Sequence, residues 1–289
     1  MSKIERDEVT GQETTGHEWD GIRELNTPLP RWWLLVFYAC CIWAVIYWIL
    51  YPAWPIPGGF TKGILGYSSR GELTQEVAAA RSAQQVYLDQ IAATPLDAIP
   101  QNAELFQFAQ SGGRSAFAVN CSPCHGAGGQ GAKGYPNLLD DNWLWGGSLD
   151  QIAQTITHGI RWDADPDTRQ NQMPAFLTDG MLTPAQIDDT AEYVLSLSGR
   201  STNPAAVKRG AELFETNCVA CHGEGGVGNT EMGAPSLKAN IWLYGGDKAS
   251  IVTTIRYARK GVMPAWAGRL DPATIKQLAI YVHSLGGGK

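Results

Sequence analysis

The sequence predicts an all-α protein in which one N-terminal transmembrane helix is followed by two tandem helical domains. Three observations carry this reading. Residues 32–51 form an unbroken run without a charged side chain, WWLLVFYACCIWAVIYWILY. From about Asn102 the chain states one series of motifs twice, in the same order. No stretch shows the period-two alternation of a sheet strand, whereas several open with a helix-capping residue and continue with apolar positions three and four apart.

The uncharged run comes first. A helix of that length rises about 30 Å, enough to cross the hydrocarbon core of a bilayer. Trp32 and Trp33 stand at one end and Tyr47, Trp48, Tyr51 and Trp54 at the other, where aromatic side chains favour membrane interfaces. Arg31 marks the entry, and Pro52, Pro55 and Pro57 stop the helix. A cleavable signal peptide fits poorly, because residues 1–30 are long and acidic and no small-residue cleavage site follows. The chain is therefore read as a tail (1–30), an anchor (31–52), a linker (53–101) and two domains (102–200 and 201–289). Within the linker, Val77, Val86, Leu88 and Ile91 are spaced as on a helix over Glu72–Thr94.

The two copies correspond element by element. The first reads RSAFAVNCSPCHG, GYPNL, NWLWGG, QMPAF and LTPAQIDDTAEYVLSLSG, and the second GAELFETNCVACHG, GAPSL, NIWLYGG, VMPAW and LDPATIKQLAIYVHSLGG. The first has an insertion, WDADPDTRQNQ, before its Met-Pro-Ala. Each terminal helix is signalled by a cap and a proline, Thr183-Pro184 with Gln186, and Asp271-Pro272. Gly199 and Gly286 are the corresponding stops. Ser148 and Asp247 cap an earlier helix in each copy.

Net charge is -6 over 289 residues, without a basic stripe, which argues against nucleic-acid binding. Of the six cysteines, Cys40 and Cys41 lie in the apolar run and read as small apolar residues of the membrane helix. The other four form Cys121-Ser-Pro-Cys124-His125 and Cys218-Val-Ala-Cys221-His222, leaving none for a disulfide framework. Structural zinc would need a second ligand pair per metal. A thioredoxin-like pair would sit in an α/β pattern and needs no adjacent histidine. Two thiols followed by histidine suit a covalently bound haem: the thiols add to its vinyl groups, and the imidazole falls beneath the iron. The expectation is two haem c groups, bound through Cys121, Cys124 and His125, and through Cys218, Cys221 and His222.

The sixth ligands are expected to be Met173 and Met263, each in Met-Pro-Ala ahead of a terminal helix. A thioether suits low-spin iron and raises the potential relative to a second histidine. Met181 has no counterpart in the second copy, and Met232 lies close to its own Cys-x-x-Cys-His. Copy by copy, Met173 pairs with His125 and Met263 with His222, so that a histidine placed at either methionine lowers the potential of that copy's haem alone. Pro136 and Pro235 resemble the Gly-Pro-x-Leu element of class I cytochromes c, which implies that their carbonyls accept the other imidazole N–H. Trp143, Trp145, Trp242 and Tyr244 suit a haem wall, a propionate contact or plain core packing. His158 reads as a surface or packed residue, and His17 and His283 as uninvolved. With both axial positions filled, the chain is expected to transfer electrons and not to catalyse, which weighs against a dihaem peroxidase.

Outside these motifs, GHEWDGIRELNTPLPRWW (16–33) and YPAWP (51–55) resemble the dihaem subunit of cbb3-type cytochrome c oxidases, the CcoP/FixP family, of the single-anchor type. The likeness runs over the whole chain. It implies two class I cytochrome c domains that take electrons from a donor cytochrome c and pass them to the monohaem and catalytic oxidase subunits. Haem is attached to such motifs outside the bacterial inner membrane, so the tail is expected in the cytoplasm and the haem domains in the periplasm. The acidic surface suits a basic donor. The cytochrome subunit of a periplasmic dehydrogenase and a free membrane dihaem carrier share the same haem sites, but a free carrier has no need of such a tail.

Overall fold

A computed structural model describes residues 4–286. The backbone forms two compact units, with the boundary in the chain between Ser82 and Ala83.

The N-terminal unit opens with a hairpin of β1 (Thr14–Trp19) and β2 (Ile22–Leu25), with Trp19 opposite Ile22. Asp20 and Gly21 form its two-residue turn, both at positive φ (46° and 83°). This left-handed pair matches the right-handed twist of a hairpin. The tail thus holds strands that the helical reading did not include. The membrane helix α1 runs Arg31–Leu50, and none of its residues is buried within the protein. Among the described residues it is the one helix long and apolar enough to span a membrane.

The far end of α1 is capped by the chain that follows. The N–H groups of Ile64 and Leu65 donate to the carbonyls of Ile49 and Leu50 at 3.0 and 3.1 Å, satisfying last-turn oxygens that a helix end otherwise leaves orphaned. Gly63 makes this approach possible: at φ +70°, its missing Cβ would overlap the Leu50 carbonyl. A small hairpin, β3 (Pro55–Ile56) and β4 (Gly59–Phe60), lies between. Helix α2 (Ser69–Ala93) follows.

The second unit contains the repeat. Copy one supplies α3 (Ala103–Asn120), α4 (Ser122–His125), α5 (Leu149–His158) and α6 (Pro184–Ser196). Copy two supplies α7 (Pro204–Asn217), α8 (Val219–His222), α9 (Lys248–Tyr257) and α10 (Pro272–Ser284). The caps are those the sequence signals. Ser148 and Thr183 make full capping boxes with Gln151 and Gln186, and the Asp247 and Asp271 carboxylates accept from Ser250 and Thr274 N–H.

The copies do not close on themselves. Helix α10 lies across α3 and α5, and α6 lies across α7 and α9. One core gathers Phe117 of α3, Ile152 and Ile156 of α5, and Leu278 and Ile280 of α10. The other gathers Phe214 of α7, Ile251 and Ile255 of α9, and Ile187 and Val194 of α6. The aromatic pairs cross as well: Phe117 meets Tyr281 at 5.4 Å, and Tyr193 meets Phe214 at 4.9 Å.

Charge explains the exchange. Both terminal helices offer the same aromatic and aliphatic face, but α6 carries Asp188, Asp189 and Glu192 where α10 carries Lys276, Gln277 and Ile280. The bases that match these acids come from copy two. Arg209 of α7 forks onto Asp189 (2.7 and 2.6 Å), and Lys248 of α9 reaches Asp188 and Glu192 at 2.8 Å each. The corresponding residues of α3 and α5 are Gly112 and Leu149. Closure within each copy would leave the shielded Asp189 and Glu192 unpaired and bring Arg209 and Lys248 against Lys276, so the crossed arrangement wins by avoiding repulsion as well as by attraction.

In place of an acid, Lys276 finds a helix end: its Nζ donates to the carbonyls of Ile91, Ala92 and Thr94 at 3.1, 2.9 and 2.7 Å. Lys276→Met should therefore destabilise this unit by about 1.5–3 kcal/mol, the range for hydrogen bonds to a charged group, measured as a lower thermal midpoint.

Candidate haem centres

Each candidate centre begins where a long helix stops. Cys121 and Cys218 cap the C-termini of α3 and α7, and the next residues coil into the single turns α4 and α8. His125 and His222 N–H donate to the Cys121 and Cys218 carbonyls at 2.9 Å, so one helical turn gathers both cysteines and the histidine. The chain then doubles back, with Gly131 and Gly228 N–H donating to the His125 and His222 carbonyls at 2.7 Å. This brings a proline carbonyl under each imidazole: Nδ1 of His125 lies 3.1 Å from the Pro136 oxygen, and Nδ1 of His222 lies 3.0 Å from that of Pro235. A carbonyl only accepts, so Nδ1 carries the proton and the Nε2 lone pair is free for a metal. Burial pushes both imidazoles below their usual range, which favours the neutral, ligating form.

Burial pushes the Cys121 thiol up to about 11 and that of Cys218 up to about 12.

A cavity of about 510 Å³ opens beside the second motif. Cys218, Cys221, His222 and Pro235 border it, and so does Met173 of copy one. Met173 thus shares a cavity with His222, not with the His125 that copy-by-copy pairing assigned to it. Met263 likewise packs against the other copy. It packs against the core that Cys121 and Trp143 border, and its N–H and carbonyl exchange hydrogen bonds with Ile160, just past α5, at 3.0 and 2.9 Å. The loops beyond the methionines are also crossed: Phe176 N–H donates to Ile255 of α9, and Trp266 N–H to Ile156 of α5, both at 3.1 Å. Met232 also borders the cavity, on the turn between His222 and Pro235, but has no equivalent in copy one; Met181 is exposed.

The aromatic motifs hold these walls. Gly147 and Gly246 are required because a Cβ would come within 2.8 Å of the Trp143 and Trp242 rings. Trp242 gives its indole N–H to the Ala239 carbonyl at 2.8 Å, so it acts as a wall and not as a propionate donor. Tyr244 also borders the cavity, with the Arg259 guanidinium 5.1 Å from its ring centroid. Trp145 lies over Gly233 of the other copy, where a Cβ would overlap its ring, and under Arg169 at 5.0 Å. His158 Nδ1 faces Asp165 at 3.2 Å.

The cavity fits a haem. Its walls include Phe214, Ile251 and Ile255, which suit a porphyrin face, and Arg161 and Arg259 supply positive charge for the porphyrin's carboxylates. Sequence reasoning passed over Arg161, whose only signal is an arginine three residues past the end of α5.

Tandem Cys-x-x-Cys-His turns, proline-braced imidazoles and an all-α scaffold behind an apolar helix define a membrane-anchored dihaem c-type cytochrome. Comparison with known proteins narrows this. Residues 11–57 match the N-terminal domain of cytochrome oxidase-cbb3, FixP; residues 205–282 match cytochrome c oxidase, cbb3-type, subunit III; and residues 110–198 match cytochrome c. The chain is 56% identical to the cbb3-type cytochrome c oxidase subunit CcoP of Azospirillum brasilense over 100% of both chains. It is 54% identical to subunit FixP of Azorhizobium caulinodans, covering 98% of this chain and 96% of that one. To the CcoP subunit of Cereibacter sphaeroides it is 49% identical, covering 96% and 95%. The chain belongs to the CcoP/FixP family of cbb3-type cytochrome c oxidase subunits: it carries haem c and serves as an electron-transfer subunit of the oxidase.

Proposed function

We propose that this chain takes electrons from a donor cytochrome c at the outer face of the inner membrane and passes them to the monohaem and catalytic subunits, each haem being held by the histidine of one copy and the methionine of the other. The observation that carries the ligand assignment is the cavity shared by His222 and Met173. When bound, the two haems supply one-electron redox couples. The residues do the rest. Cys121, Cys124, Cys218 and Cys221 would fix the groups covalently, and His125 and His222 would ligate through Nε2 while the Pro136 and Pro235 carbonyls hold Nδ1–H. Met263 and Met173 would supply the remaining ligands, so that neither haem would offer oxygen an open coordination site, and oxygen reduction is assigned to the catalytic subunit.

Attachment of haem outside the inner membrane puts the haem unit in the periplasm and the tail with β1 and β2 in the cytoplasm. The test is mild-detergent purification, through a C-terminal tag, from membranes of the chain's own host, followed by reduced-minus-oxidised and carbon-monoxide spectra and oxygen uptake. Haem c accompanied by haem b, a carbon-monoxide-reactive high-spin centre and oxygen consumption is expected. Haem c alone, without oxygen uptake, would reassign the chain as a free carrier or as the partner of a periplasmic dehydrogenase.

A further inference from the structure

One side chain touches both methionine loops. Nε of Arg161 donates to the Gly261 carbonyl at 2.7 Å, two residues before Met263, and Nη1 donates to the Asn171 carbonyl at 2.7 Å, two residues before Met173. The neighbouring Ile160 makes the paired main-chain hydrogen bonds to Met263, and Arg161 N–H donates to the Arg169 carbonyl at 2.8 Å. Asn171 in turn gives its amide to the Met232 carbonyl at 2.6 Å. Arg161 itself sits at φ +51°, a region that residues with a Cβ adopt only when their surroundings demand it. It borders the cavity of Met173 and His222, where burial lowers its basicity.

We infer that Arg161 is a positioning residue that clamps the Met173 and Met263 loops to each other and so sets the coordination of both haems at once. The inference rests on Met173 and Met263 being the axial ligands. A thioether is neutral and binds iron weakly, so it stays in place only while its loop is held. The segments around Met173 and Met263 are irregular and lack helical hydrogen bonds that would hold them. Arginine suits the task because its planar fork presents several N–H groups in fixed directions and spans two carbonyls from separate loops, whereas an ammonium is a single compact donor.

The test uses the full-length, haem-loaded chain in detergent, with Arg161→Gln, Arg161→Lys, Met173→Ala and Met263→Ala. Two quantities are read: the number of haems per chain that bind carbon monoxide when reduced, and the potential of each haem. The unaltered chain should bind none, and each methionine variant should open one haem. Arg161→Gln should render both haems carbon-monoxide-reactive and lower both potentials. Arg161→Lys should affect both in the same direction, to a smaller extent. The clamp is overturned if Arg161→Gln leaves both haems closed or opens only one. It is likewise overturned if lysine restores both fully, since charge alone would then suffice. Should Arg161→Gln fail to accumulate with two haems, Arg161→Lys decides by the same criteria. If the methionine variants bind no carbon monoxide, the ligand assignment itself falls and the clamp with it, a result distinct from failure of the arginine variants alone.

Discussion

Replacing Met173 by histidine lowers the reduction potential of the haem attached at Cys218 and Cys221 and leaves the haem at Cys121 and Cys124 close to its original value. The reason is the crossed cavity: Met173 borders the site of His222. Exchange of a thioether for an imidazole removes a ligand that favours the reduced iron, and the drop should be a sizeable part of the about 0.8 V over which axial ligands tune haem. Two similar haems must be told apart for this to be read. Cys121→Ala leaves the first haem on a single thioether, so its visible band shifts and marks it. In that background a spectroelectrochemical titration follows marked and unmarked haems separately. Met173→His should move the unmarked haem, and Met263→His the marked one. If Met173→His moves the marked haem instead, the ligands pair within each copy and the crossed assignment is wrong.

That test separates what was readable in the sequence from what was not. The Cys-x-x-Cys-His turns and the four helix caps are local: each needs only residues a few positions apart, and each is formed in the structure. The membrane helix, expected at 31–52 and found at Arg31–Leu50, and the linker helix, expected at Glu72–Thr94 and found at Ser69–Ala93, follow from hydropathy and spacing over one segment. The proline carbonyls beneath His125 and His222 came from resemblance to class I cytochromes c, and the geometry bears this out.

Partner choice between the copies is different in kind. Helices α6 and α10 both carry a tyrosine that meets a phenylalanine of a long helix, so the apolar pattern allows either pairing. The decision lies in Asp188, Asp189 and Glu192 against Lys276, Gln277 and Ile280, and becomes visible only when these positions are set beside Arg209, Lys248, Gly112 and Leu149. The N-terminal hairpin was missed for a simpler reason. Asp20-Gly21 is a strong turn signal, but the flanking strands are only 6 and 4 residues long and one contains a register irregularity, so no clean alternation announces them.

The crossing also makes two glycines critical. Helices α3 and α10 approach so closely at Gly113 that a Cβ there would overlap the Gln277 carbonyl and come within 2.7 Å of Tyr281 Cβ. At the equivalent Gly210, a Cβ would overlap the Asp189 carbonyl and come within 3.0 Å of Tyr193 Cβ. Alanine normally stabilises a helix interior by about 1 kcal/mol relative to glycine. Here the obstacle is main chain of the facing helix, which cannot swing aside, and overpacking of this kind costs about 1–3 kcal/mol or more. Gly113→Ala and Gly210→Ala should therefore each lower the thermal midpoint of the haem unit. Gly71→Ala supplies the contrast: in α2 its Cβ would meet only Ser68 at ordinary distance, so the same exchange should be neutral or stabilising by up to about 1 kcal/mol. Each of the two destabilising changes should also open one particular haem. Gly113 is where α10, and with it the Met263 loop, is held against the helix that ends in Cys121; Gly210 does the same for α6 and Met173 at Cys218. Carbon monoxide should thus reach the first haem in Gly113→Ala and the second in Gly210→Ala. The reverse correspondence would mean that these glycine contacts do not hold the methionine loop of the haem on their own helix.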